Sequence, residues 1–383
     1  MPLNHRMNRR KWLSLAPWPL ASLASLSAMH RAQAQVPLSI IMADLGPAEP
    51  LHWPRDHGAH LERESEWWAF KGEINQPSGQ VLGFHLSFLR ATIESAANNK
   101  SRFAPKQVLG ARASLSDTSK GTLLQDQRTA RTGFGLADVS VSDMNVVLHD
   151  WSLTRSGSLA QSVIQARIET PDFTLDLKGT QTQPLMLHGE NGYVRRERIE
   201  QDSTRYYSMP ALKLEGQMSR KQKSERSEPI TGRAWLDHGW GRSQLVTGAA
   251  GSDWIGMHLH NGGALMVFRM RREDGISVWE SASLRLPGRA DRIFKPEEIK
   301  ISPGDTWRSP TTGATYPTTW KLTLAELSYT VKARTPNQEM DGGNGVGDVF
   351  WEGLSDLLDT QGRMVGGGYL EMNGYVPEAN LDK

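Results

Sequence analysis

Ile255-Gly256-Met257-His258-Leu259-His260-Asn261-Gly262-Gly263-Ala264-Leu265-Met266-Val267-Phe268 is the stretch that decides the fold class. Ile255, Met257 and Leu259 alternate with other residues, Asn261-Gly262-Gly263 interrupts, and Ala264, Met266 and Phe268 alternate again. Successive side chains of an extended chain point to opposite faces, so a period of two marks strands. Asn-Gly accepts the positive φ that tight turns demand, and the whole stretch reads as a hairpin. The same period recurs outward from it. Within 81–90, Leu82, Phe84, Leu86 and Phe88 share one face, with His85 and Ser87 on the other. Runs at 164–168 and 173–177 are joined by Glu169-Thr170-Pro171-Asp172, whose Pro and Asp suit a turn. Further alternation covers 320–331 and 366–376. Long amphipathic helices are absent from the pattern, and 350–359 and 296–299 read as short helical pieces. Many short strands divided by turns make a sandwich or a barrel. A barrel is favoured because closure removes exposed edges.

The chain has 383 residues, too many for one typical core and suited to two domains and a leader. A weak echo links Glu66-Trp67-Trp68-Ala69-Phe70 with Asp253-Trp254-Ile255-Gly256. The Gly-rich passage 241–251 is the expected boundary, giving domains at 45–241 and 242–383. No acidic residue precedes Asp44. Arg9-Arg10-Lys11-Trp12-Leu13 opens an apolar stretch to Leu26, and Ala32-Gln33-Ala34 supplies the small residues of a cleavage site. Residues 1–34 are therefore expected to be a signal peptide of the twin-arginine kind, with a periplasmic or secreted product. The net charge of +2 and the lack of a basic stripe argue against a nucleic-acid partner. The run 220–226 reads as a solvated loop. With no Cys, disulfides, thiolate catalysis and Cys-based zinc sites are excluded.

Two passages concentrate unusual residues: Trp53-Pro54-Arg55-Asp56-His57-Gly58-Ala59-His60 leading to Glu66-Trp67-Trp68, and Gly232 to Gly241 with Trp235, Asp237, His238 and Trp240. An Asp beside a His can set its tautomer and raise its basicity. Indole faces stabilise nearby cations by about 0.5–2 kcal/mol. Such groups together could protonate an alkene and shelter the carbocation, or could simply plug a core and pin loops. His57 and His60, with His52 or His238 and Asp237, could complete a zinc shell, but their loop spacing does not enforce ligand geometry. No metal or other cofactor is expected. No Gly-x-Ser-x-Gly elbow is present, and Ser208 has no neighbour in sequence to activate it. His258 and His260 read as surface or pocket-rim residues.

These motifs, with Tyr207-Ser208, Gly216, Phe350-Trp351-Glu352-Gly353 and Gly367-Gly368-Tyr369-Leu370-Glu371, resemble the carotenoid 1,2-hydratase (hydroxyneurosporene synthase) and AttH-like lipocalin family over nearly all of 50–376. The resemblance implies an all-β protein of two consecutive lipocalin-like antiparallel barrels and a largely apolar ligand site near the domain junction. It also implies water addition to a terminal isoprenoid double bond or, in fungal relatives, pericyclic ring closure. One departure stands out: the family motif usually reads Asp-His-Glu-Trp, whereas Gly239 follows His238 here. Ala69 likewise replaces an aromatic residue.

The expected function is acid catalysis on an apolar, unsaturated, isoprenoid- or lipid-like molecule, as a hydratase or cyclase. Asp237, His238 and Glu66 are the expected catalytic residues, with His238 the general acid and Asp237 its proton donor or orienting partner. Trp67, Trp68, Trp240, His57 and Tyr207 are expected to line the pocket. The rivals are a non-catalytic periplasmic lipid carrier and a secreted hydrolase. The expected partner is a small apolar ligand, with peripheral membrane association allowed and the oligomeric state left open.

Overall fold

Alternating runs become strands throughout. The computed structural model describes residues 49–97, 99–101, 103–196, 203–221, 224–241, 245–340, 342 and 349–376; the expected signal peptide lies outside them. The first sheet comprises β1 (Ser65–Asn75), β2 (Val81–Thr92), β3 (Gln107–Asp117), β4 (Thr122–Arg131), β5 (Ala137–Val139), β6 (Asn145–Leu148), β7 (Trp151–Ser156), β8 (Val163–Glu169), β9 (Phe173–Gln181), β10 (Met186–Leu187), β11 (Tyr193–Val194), β12 (Thr204–Arg220) and β13 (Ser224–Gly241). The second comprises β14 (Gly251–Leu259), β15 (Ala264–Arg271), β16 (Ser277–Arg285), β17 (Arg292–Phe294) and β18 (Ile299–Pro303), then, past the small separate hairpin of β19 (Thr306–Arg308) and β20 (Thr315–Pro317), β21 (Thr319–Leu324), β22 (Leu327–Ala333), β23 (Glu339–Met340), β24 (Phe350–Leu358) and β25 (Met364–Asn373).

Both sheets are antiparallel and nearly closed, so the chain is all-β with two barrel-like bodies, as the period of two demanded. Each follows one plan. The opening strand sits between the second strand and the last: β1 between β2 and β13, and β14 between β15 and β25. The echo between Trp67-Trp68 and Trp254 therefore falls on equivalent strands.

The hairpin β14–β15 turns where Asn-Gly placed it. Gly262 has φ 85° and Leu259 N–H donates to Gly263 O at 2.9 Å. Its register pairs Ile255 with Val267 and Met257 with Leu265. Ile255, Met257 and Leu259 thus share the barrel interior with Leu265 and Val267, while Ala264 and Met266 belong to a different cluster with Trp254. Both faces of one hairpin are buried.

The core of the first barrel holds Phe70, Phe84, Leu86, Phe88, Trp151 and Leu236. That of the second holds Ile255, Met257, Trp320, Leu322, Trp351 and Leu370. A third cluster lies between the sheets, where Tyr206 and Trp235 of the first meet Trp254, Met266, Leu354 and Tyr369 of the second. Residues 296–299 include the expected helical piece, a 3-10 turn at Pro296–Glu298. Residues 350–359 do not, because Phe350–Leu358 is strand β24. Its side chains are buried on both faces, which erases the alternation that would have marked it.

Candidate active site at the seam between two sheets

The register of three neighbouring strands positions the site. Trp68 of β1 and Tyr207 of β12 both stand opposite His238 of β13. Ala69 and Ser208 stand opposite Asp237. Because adjacent residues on a strand point oppositely, these strands carry two clusters back to back. Glu66, Trp68, Tyr207, His238 and Trp240 face the first barrel's interior. Trp67, Lys71, Tyr206, Ser208, Trp235 and Asp237 face the second sheet.

The interior cluster centres on Glu66. Its Oε2 accepts from the His60 backbone N–H at 2.8 Å and from Arg90 Nε at 3.0 Å. Its Oε1 lies 2.8 Å from His60 Nδ1 and 2.9 Å from His238 Nε2. Burial alone would raise its pKa, but the hydrogen bonds from His238 and His60 prevail and hold it well below the usual carboxylate range. His60 offers its other nitrogen to Asp56 Oδ1 at 3.2 Å and stacks on Trp240, with ring centroids 3.7 Å apart. Burial pulls His238 down to about 4, only partly offset by Glu66, so its imidazole is neutral at pH 7. An ionised Glu66 only accepts. His238 Nε2 therefore carries the hydrogen, and Nδ1 accepts from the Tyr207 hydroxyl at 3.1 Å. His57 Nδ1 then donates to that hydroxyl at 2.6 Å. Burial, with Arg155 and His238 adding to it, drives His57 down to about 2. Glu66, His57 and His238 are each 0 % exposed.

The seam cluster is built on an ion pair. Lys71 Nζ lies 3.0 Å from Asp237 Oδ2, hydrogen-bonds Glu371 Oε1 of β25, and sits 3.5 Å from the Trp254 ring centroid. Burial opposes its charge, but Glu371 and Asp237 outweigh burial and raise its pKa. Asp237 Oδ1 accepts from Tyr206 at 2.8 Å, Ser208 at 2.6 Å and Trp235 Nε1 at 2.8 Å. Ser208 also meets His188 Nε2 at 2.7 Å, and His188 Nδ1 meets Ser283 Oγ of β16 at 3.0 Å. The serine proton goes to a carboxylate, so this Ser–His contact ties the sheets together without making a nucleophile. Beside Lys71 lies a cavity of about 10 Å³, lined among others by Arg233, Trp235, Trp254, His258 and Tyr369. That is room for about one water. Burial chiefly lowers the pKa of His258 to about 4, against the pull of main-chain hydrogen bonds at Ala234 and Pro210, while its Nε2 has no aligned partner among the described residues.

The expected site residues are thus divided. Glu66, His57, Tyr207, His238, Trp68 and Trp240 do meet. Asp237 does not touch His238, despite being its neighbour in sequence, because the backbone turns the two to opposite faces. Glu66 orients His238 instead. Trp67 and Trp68 part for the same reason, and Trp67 is half-buried near Tyr206 at 5.9 Å between centroids. Gly239 has a physical correlate: a Cβ there would meet the Trp67 indole at 2.3 Å, so an acidic side chain must displace that ring. Lys71, Arg90, His188, Tyr206 and Trp254 were not singled out for chemistry. A lysine amid the apolar run of β1 was the one visible signal.

A two-barrel fold with polar residues buried at its seam defines a lipocalin-like class. The chain belongs to the AttH-like family, whose profile matches residues 44–375. A solved AttH structure from Nitrosomonas europaea is similar at 37% identity and a TM-score of 0.80, covering 87% of this chain and 100% of that one. Kievitone hydratase from Nectria haematococca is similar in fold, with a TM-score of 0.64 at 15% identity, covering 87% of this chain and 94% of that one. None of the curated proteins matches the chain.

Proposed function

We propose that this protein is a hydro-lyase that adds water to a conjugated double bond of a largely apolar molecule at the seam between its sheets. The observation that carries the reading is the water-sized cavity flanked by the Lys71 ammonium, the unpartnered His258 Nε2 and the indoles of Trp235 and Trp254. The water gives a proton to His258 Nε2 while its oxygen bonds to one alkene carbon. The other carbon takes a proton from Lys71, and the proton on His258 then restores the ammonium. Asp237 and Glu371 position Lys71 and keep it charged, so Asp237 acts through Lys71 and not through His238. The indoles give the substrate an apolar wall. Membership of the AttH-like family and the fold shared with a hydratase support this reading.

The test is incubation of the purified protein with a panel of conjugated isoprenoid and phenolic enones in oxygen-18 water, followed by mass spectrometry. A product gaining one labelled water is expected, and His258→Gln should lower kcat by about 10²–10⁴-fold with an unchanged circular dichroism spectrum. A ligand that copurifies and returns unchanged would establish the carrier instead. Turnover of esters alone would establish a hydrolase.

A further inference from the structure

His85 of β2 lies across the seam from Glu352 of β24 and Glu371 of β25, and the mechanism above uses neither His85 nor Glu352. The His85 nitrogen and one oxygen from each carboxylate lie within 4.8 Å of one another. His85 is 3 % exposed and Glu352 2 %.

Two features set this cluster apart from an ordinary ion pair. His85 Nδ1 approaches Glu352 Oε1 to 2.7 Å yet makes no hydrogen bond, so the contact lacks hydrogen-bond alignment. Two donor atoms crowding together without pointing at each other is the geometry of ligands converging on a common centre. Glu352 Oε2 is also buried with no hydrogen bond, although Ser114 Oγ serves the other oxygen at 3.1 Å. A buried carboxylate oxygen left without a donor is costly. Charge points the same way. Lys71 pairs with both Asp237 and Glu371, and Glu352 pairs with His85, so three carboxylates stand here against one ammonium. A doubly charged cation restores neutrality.

We infer that His85, Glu352 and Glu371 bind a divalent first-row transition metal ion between the two sheets, with Lys71 hydrogen-bonded to the ligating Glu371. One imidazole and two carboxylates form a mixed N/O donor set that suits zinc or manganese and is too nitrogen-rich for a site built for calcium. The ligands come from both sheets, so the ion closes the seam and ties the barrels together. The site shares Glu371 with the hydratase reading, but its role is cohesion, and metal content and melting are read without turnover.

The test uses the full chain, purified without chelators, exchanged against zinc or manganese chloride and analysed by plasma mass spectrometry and thermal melting. About one equivalent of metal per chain is expected. Chelation should lower Tm by several degrees and re-addition should restore it. Glu352→Gln and His85→Gln should each lose the metal while keeping the β spectrum, and the surface control Glu215→Gln should keep it. Where a variant fails to fold, the wild-type melts with and without chelator still decide. Less than about a tenth of an equivalent after exchange, or metal retained in both folded variants, overturns the site. A wild type that takes no metal and melts higher as Glu352→Gln would show two carboxyls sharing a proton instead, and would overturn it too.

Discussion

Glu66 and Lys71 belong to one strand, five positions apart, and face opposite ways. Around Glu66 every carboxylate valence is filled: Arg90, His238 and both the backbone and ring of His60 serve it. Around Lys71 the account is open: a cavity adjoins it, His258 Nε2 is unpartnered, and its carboxylates outnumber it. On the proposed function the Glu66 network holds the barrel together, because buried hydrogen bonds of this kind rigidify and specify a core; its one open atom among the described residues is His57 Nε2. The seam cluster retains capacity for a ligand, because unmet hydrogen bonds and uncompensated charge are what binding supplies. On the proposed function, the face with the more conspicuous sequence motif is the structural one.

The largest effect expected of a single substitution tests the interior. Glu66→Ala leaves the Arg90 guanidinium buried without its carboxylate and should cost about 3–5 kcal/mol in urea unfolding, while folded molecules keep their turnover. A cost under about 1 kcal/mol would remove the structural role, and lost turnover in a fully folded variant would exchange the roles of the two faces.

Acid comes next. His238, His188 and His258 have folded pKa values near 4 against 6.5 for a free imidazole, all chiefly through burial. Below pH 6.5 the unfolded chain binds protons that the folded chain refuses. Stability is therefore complete above that pH and falls as the pH drops toward 4, by roughly 1.4 kcal/mol per unit for each such ring. His238→Gln should flatten the slope by one ring's share, measured by chemical denaturation across the interval. An unchanged slope would place its titration elsewhere.

The smallest effect concerns the boundary between the faces. Gly239→Ala sets a methyl against the Trp67 indole and should cost about 1–2 kcal/mol, with a shifted tryptophan emission. No change in either would show that Trp67 moves freely at the seam.

Much of this was legible beforehand. Leu82, Phe84, Leu86 and Phe88 alternate and all are buried, and the Asn261-Gly262 turn falls where it was placed. The gathering of Glu66, His57, Tyr207 and His238 followed from motifs. Three things did not follow. The His85 side of 81–90 reads as the polar face of its strand but is buried against Glu352 of the second sheet. The adjacency of Asp237 and His238 suggested a pair that strand geometry forbids. The strand at 350–358 hid its period because both its faces are buried.

The sequence alone determined which side chains share a face, since that is fixed by the pleat of each strand and needs no knowledge of neighbours. Only the tertiary structure decided what each face meets. Whether a histidine opposite an apolar stripe ends in water or against a glutamate depends on how two sheets, built from residues hundreds of positions apart, lie upon each other, and no local period records that.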